Sequence, residues 1–232
     1  MREERSARAR RGGGSGTLRM MIEDFGARVA SVWEGLRSTT RNLVERALQT
    51  SGTANSATQP ARSEARPYDA RADWELSRLL AALDERLAEA ESSLSAEQAK
   101  ELRRLADTTA LVLQGQTQSA EVFAQLVTRA SRLRDYARID LLADALSARF
   151  APSEICELAR SNDPVVRELA RETLAQSPTS TLINLLSDPI DSEIARDALE
   201  RQADDYGSEE ARRIVAFLDQ ADAIEDAMED DL

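Results

Sequence analysis

The chain has 232 residues, 42% hydrophobic and 31% charged, a balance that supports a folded core and excludes a wholly disordered protein. Its net charge of −12 is unevenly spread, since residues 1–66 hold 12 Arg against 7 acids and the remainder 18 basic against 35 acidic residues. An acidic body repels phosphate backbones, which argues against nucleic acid as its partner, and the absence of His removes the commonest acid–base catalyst and metal ligand.

Aromatic residues make up only 4% of the chain, while Ala and Leu dominate. Unbranched and small apolar side chains lose little freedom in a helix, and no stretch alternates as a half-buried strand does. The predicted fold class is all-α. No apolar run approaches the roughly 20 residues needed to span a bilayer. Arg10-Arg11 is followed by Gly12 to Thr17 rather than by an apolar signal core, so cytoplasmic residence is expected.

Residues 1–18 are basic, Gly-rich and aperiodic, and read as a disordered arm. An amphipathic helix is predicted over 19–49: Ile22, Val29, Leu36 and Leu43 recur every seven residues, joined by Phe25, Val32 and Trp33. Gly26 and Gly35 weaken it, so it requires a surface to fold on. That surface is the body of the chain, a second copy, a partner or a lipid layer. A Ser-, Thr- and Pro-containing stretch over 50–68 reads as a flexible linker.

Over 69–134 a helical hairpin or bundle is predicted. Leu76, Leu80, Leu83, Leu87, Ala90 and Leu94 form a 4-3-4-3-4 seam. Ser95 and Gln98 then match a capping box that opens a second helix with Leu102, Leu105 and Thr109, expected to stop at Gly115. A third helix from about Ser119 to Leu133 presents Val122, Phe123, Leu126, Val127 and Ala130. Trp74 is expected in the core or on the N-terminal helix, and Trp33 is the better candidate for an external contact. Cys156, beside Ile155 and Leu158, is expected to be buried as a small hydrophobe.

The segment from Asp163 repeats 25 residues later from Asp188, with Pro164/Pro189, Glu168/Glu193, Leu169/Ile194, Ala170/Ala195, Arg171/Arg196 and Leu174/Leu199 in register. Each Asp-Pro pair reads as a cap followed by a proline at the first helical position. Short helices precede both copies, near Pro152 and Pro178. The Asp-Pro-x-x-x-x-x-Ala-x-x-x-Leu frame resembles the second helix of HEAT or armadillo-type repeats. The resemblance spans residues 135–218 and implies a short α-solenoid with a concave surface for protein partners. It transfers no active site. Residues 219–232 hold seven acids and no basic residue, and read as an acidic tail.

No catalytic, cofactor or metal-ligating constellation is expected. The candidate partner-binding residues are Phe25, Val29, Trp33 and Leu36 on the N-terminal helix, and Arg167, Arg171 and Arg196 on the repeats. The leading expectation is a non-enzymatic scaffold or adaptor whose repeat surface binds one protein and whose N-terminal helix binds another. A peripheral membrane organiser anchored by residues 1–48 is the second reading. An enzyme on a HEAT-like scaffold, of the glycosylase or chromophore lyase type, is the third, by analogy of fold alone. The seven-residue repeat and the Leu seam also permit a homo-oligomer.

Overall fold

A computed structural model describes residues 21–51, 68–89 and 94–229. All regular structure among them is helical, so the chain is all-α. The arm at 1–18 lies outside the described residues, as does the linker except for residues 50, 51 and 68. Among the described residues no helix is long and apolar enough to cross a membrane. The chain divides into two compact units, 1–122 and 123–232.

In the first unit the expected single helix over 19–49 is broken twice. A helical turn over 21–24 ends at Gly26, whose φ of 112° lies where only glycine is comfortable. The Phe25 carbonyl, freed by the break, accepts from Arg86 Nε at 2.7 Å. Helix α1 (Ala27–Gly35) follows, then an extended Leu36, then α2 (Ser38–Ser51). The breaks let the apolar face follow a curved surface made by α3 (Ala70–Glu89) and α4 (Ala96–Gln116). Helix α1 packs on α3, and α2 packs on both α3 and α4.

The hairpin itself follows its apolar periodicity. Leu76, Leu80 and Leu83 on α3 are buried, as are Leu102, Leu105 and Thr109 on α4, and the two helices pack together; Leu87 and Leu94 of the seam are half-buried, and Ala90 lies outside the described residues. Ser95 accepts from the Gln98 amide while the Gln98 side chain accepts from the Ser95 amide, the reciprocal cap that the sequence predicts. Gly115 does not end α4, which continues to Gln116 and closes when the Thr117 amide donates to the Leu113 carbonyl at 2.8 Å.

Helix α5 (Ala120–Arg132) buries Val122, Phe123, Leu126, Val127 and Ala130. The boundary between the units falls inside this helix, not after residue 134. Phe123 meets Phe150 edge-on at 5.1 Å, and Thr128 Oγ1 donates to Asp163 at 2.7 Å, which ties the rest of α5 to the second unit. Arg134, at φ 55°, turns the chain, and Asp135 caps α6 (Tyr136–Arg149) by accepting from the Arg138 amide.

Two short-then-long helix pairs follow: α7 (Pro152–Ala159) with α8 (Pro164–Ala175), and α9 (Thr179–Leu185) with α10 (Ser192–Asp204). Each pair packs internally, and α8 also lies against α10. Ala170 and Ala195 are fully buried, as are Leu174 and Leu199, so equivalent positions of the repeat fill equivalent places in the core.

The copies begin differently. Asp163 accepts from the Val165 and Val166 amides and caps α8 at Pro164. Asp188 instead accepts from Ile190 in a turn, and α10 starts only at Ser192. Beyond Gly207, at φ 65°, α11 (Glu209–Glu229) runs well into the expected tail. It packs on α10, and Arg196 anchors it by pairing with Asp219 and Asp222.

Candidate functional site

The second unit contains a groove of about 570 Å³ between the second helices of the two copies. One wall is the loop at residues 159–162 with Arg167 and Arg171 of α8. The other is Ile190 and the Glu193, Ile194, Arg196, Asp197 and Glu200 face of α10. The repeat builds this arrangement, because Arg171 and Arg196 sit at the same place in its frame and project from neighbouring helices. All three arginines predicted to contact a partner therefore line one groove.

Their charges are already answered within the chain. Arg171 lies 3.6 Å from Glu168 and 3.8 Å from Asp197 on α10, while Arg201 of α10 reaches back to Glu168 at 3.1 Å. Arg196 pairs with Glu200 at 3.2 Å and with Asp219 and Asp222 of α11. The bond from Asp222 leads in holding its guanidinium charged, above the ordinary arginine value; burial opposes it, and the bond from Asp219 adds to the rise. Each repeat arginine thus reaches to the following long helix, Arg171 to α10 and Arg196 to α11. Arg167 donates to the Ser161 carbonyl at 3.1 Å and closes the loop that forms the groove's end. Arg171 keeps one unmet capacity, a buried Nε with no hydrogen-bond partner.

A residue not singled out in the sequence sets the groove's rim. Arg160, at the end of α7, donates to the Ile190 carbonyl at 2.8 Å and to the buried carboxylate of Asp191. This clamp crosses between copies and holds Ile190 outward, 73% exposed. The only local signal was the second Asp of Asp188-Pro189-Ile190-Asp191, which has no acidic counterpart in the first copy. Cys156 is fully buried, and burial first, then Asp191, pushes its thiol up to about 11. It is a protonated core residue, as its neighbours predicted. Among the described residues no group of three or more Cys, Asp or Glu side chains is placed to hold a metal ion.

A mixed wall of this kind, with acids interleaved among arginines, suits a peptide or protein surface of alternating charge better than a polyanion. The N-terminal candidates are placed elsewhere. Phe25, Val29, Trp33 and Leu36 are buried within the first unit, where α1 packs on α3, so the face they form is occupied by the chain's own body. The tryptophans exchange their expected places. Trp33 is 4% exposed, whereas Trp74 is 56% exposed with the Arg78 guanidinium 4.8 Å above its ring. No protein-family model matches this chain, and no curated protein or solved structure matches it.

Proposed function

We propose that the chain is a non-enzymatic scaffold or adaptor whose second unit stacks its helix pairs in a HEAT- or armadillo-like manner and holds a protein partner along the α8–α10 groove. The observation that carries this reading is Ile190, an aliphatic side chain held outward by Arg160 at the rim of a groove whose walls alternate in charge. An apolar anchor ringed by polar groups is the usual composition of a protein-binding patch. Cys156 supports the non-enzymatic part of the reading, because a buried thiol with a raised pKa is a poor nucleophile.

The membrane reading has lost the support of its apolar face, since Ile22, Phe25, Val29 and Trp33 would have to leave the core to meet lipid. It rests only on the basic residues at 1–20, and flotation with anionic vesicles addresses it directly. The glycosylase or lyase reading has no group in the groove that supports it beyond fold analogy.

The test places a photoreactive residue at Ile190 and, as control, at Leu133, which is also exposed. Irradiation in lysate of the native host is expected to give discrete protein adducts from position 190 that position 133 does not give. Identical adducts from both positions, or none, would remove the groove from the proposal.

A further inference from the structure

The second unit has another groove, of about 450 Å³, on which the last turns of α6 and α8 and the first turns of α7 and α9 converge. Its floor is apolar. Phe150 and Ile155 are buried there, and the half-buried Pro152 and Leu169 flank them. None of the described residues that line it belongs to the α8–α10 groove, and none is basic.

Two carboxylates from different helices stand on this groove. Asp144 of α6 is exposed and has no partner among the described residues. Glu172 of α8 accepts from Tyr206 and, at 2.8 Å, from Gln176, both on Oε1, which leaves Oε2 open. Tyr206 and then Gln176 hold its carboxyl below the usual range against burial, and Arg201, itself paired with Glu168, adds a smaller pull. Glu172 is therefore an anion fixed in place.

Helix ends do not set the sign here, because two negative C-terminal ends and two positive N-terminal ends meet at one groove. Glu154 also answers the start of α7 by accepting from the Ala151 amide at 2.8 Å. The two carboxylates decide it. They repel the phosphates of a nucleic acid or a lipid. A long cationic side chain meets both features, an apolar floor for its methylenes and acids for its head.

We propose that this groove receives a basic side chain of a partner protein, with its stem on Phe150, Ile155 and Leu169 and its charge between Asp144 and Glu172. Its occupation does not depend on what the α8–α10 groove holds.

The experiment titrates the full chain, labelled with nitrogen-15, with the capped peptide Gly-Leu-Arg-Leu-Gly and with the same peptide carrying citrulline, which keeps the shape of arginine without its charge. The arginine peptide is expected to shift the amides of Ser147, Thr173 and Gln176, and the citrulline peptide to bind about tenfold more weakly or less well still. Asp144→Asn should weaken the arginine peptide by a similar factor, while Asp140→Asn, on the same helix but outside the groove, should not. Asp144 has no bond within the chain to lose, and an unchanged thermal melt verifies that its variant is folded. Equal binding of the two peptides, no shift at these amides, or equal losses in the two Asn variants would each overturn the proposal. Self-association that shifts the same amides and disappears in Asp144→Asn would also overturn it, by giving the groove to a second copy.

Discussion

The Arg37 side chain donates to the buried carboxylate of Glu75 at 3.0 Å, and this contact joins the α1–α2 break to the first turns of α3. Glu75 also accepts from Thr40 and from the Arg37 amide, so a carboxylate inside the unit is satisfied on both oxygens. Burial acts to raise its pKa, but the bonds from Thr40 and Arg37 outweigh it and hold the carboxyl below its usual range. Glu75→Ala is therefore expected to cost about 2–3 kcal/mol in urea unfolding, and Glu75→Gln about 1 kcal/mol because an acceptor remains. A carboxyl with a lowered folded pKa contributes fully above its unfolded value of about 4.3, and loses that contribution as pH falls through the folded value. The gap between wild type and Glu75→Gln should be constant from about pH 5.5 upward and close below about pH 4. A gap that widens in acid would contradict this assignment.

The two glycines of the N-terminal segment predict substitutions of opposite sign. Gly26 holds a φ of 112°, so Gly26→Ala should destabilise by about 1–2 kcal/mol. Gly35 ends α1 with nothing within 4 Å of where a Cβ would stand, and Gly35→Ala should stabilise by up to about 1 kcal/mol. Thermal melts of the two variants distinguish them, and equal signs would refute the break at Gly26.

Asp163 and Asp188 occupy one position in the repeat but do different work. Asp163 caps α8 and accepts from Thr128, a bond that leads in lowering its pKa. Asp163→Ala should cost about 1–2 kcal/mol. Asp188 is exposed and accepts from one turn amide, so Asp188→Ala should cost about 0.5 kcal/mol or less. Equal costs in chemical denaturation would mean that both copies are capped alike.

Cys156 provides a probe of opening. With its thiol buried and shifted to about 11, labelling by a disulfide reagent at pH 8 should be slow in the native protein and immediate in urea. The unfolded thiol ionises near 8.5 and the folded one later, so the thiol favours folding below that value and loses its contribution as pH rises toward 11. Fast native labelling would show that α7 opens locally.

Helix type and the hairpin seam were legible because they depend on local spacing. Leu76, Leu80 and Leu83 repeat on one face whatever they pack against, and the Ser95–Gln98 cap closes within one turn. The groove's arginines were also legible, through the repeat. What spacing cannot carry is the identity of the covering surface. The Phe25–Leu36 stripe reads the same whether a partner or α3 lies on it, and Trp74 differs from a core residue only through the neighbours it lacks. Asp188-Pro189 looked like Asp163-Pro164, yet α10 starts at Ser192, just after the Asp191 that Arg160 holds from 31 residues earlier in the chain.

Arg37 reaches Asp69 at 2.8 Å as well as Glu75, and α2 packs on the helix that residue 69 introduces. The last residues of α2 and the first of α3 consequently belong to one folded unit, and a connection between two such ends closes a loop where a connection between separate bodies would not. Closing such a loop has an entropy that grows only with the logarithm of its length, about 0.6 kcal/mol for each doubling. Its length is free to drift, and an inserted epitope or small domain there would leave the helices on either side of it in register.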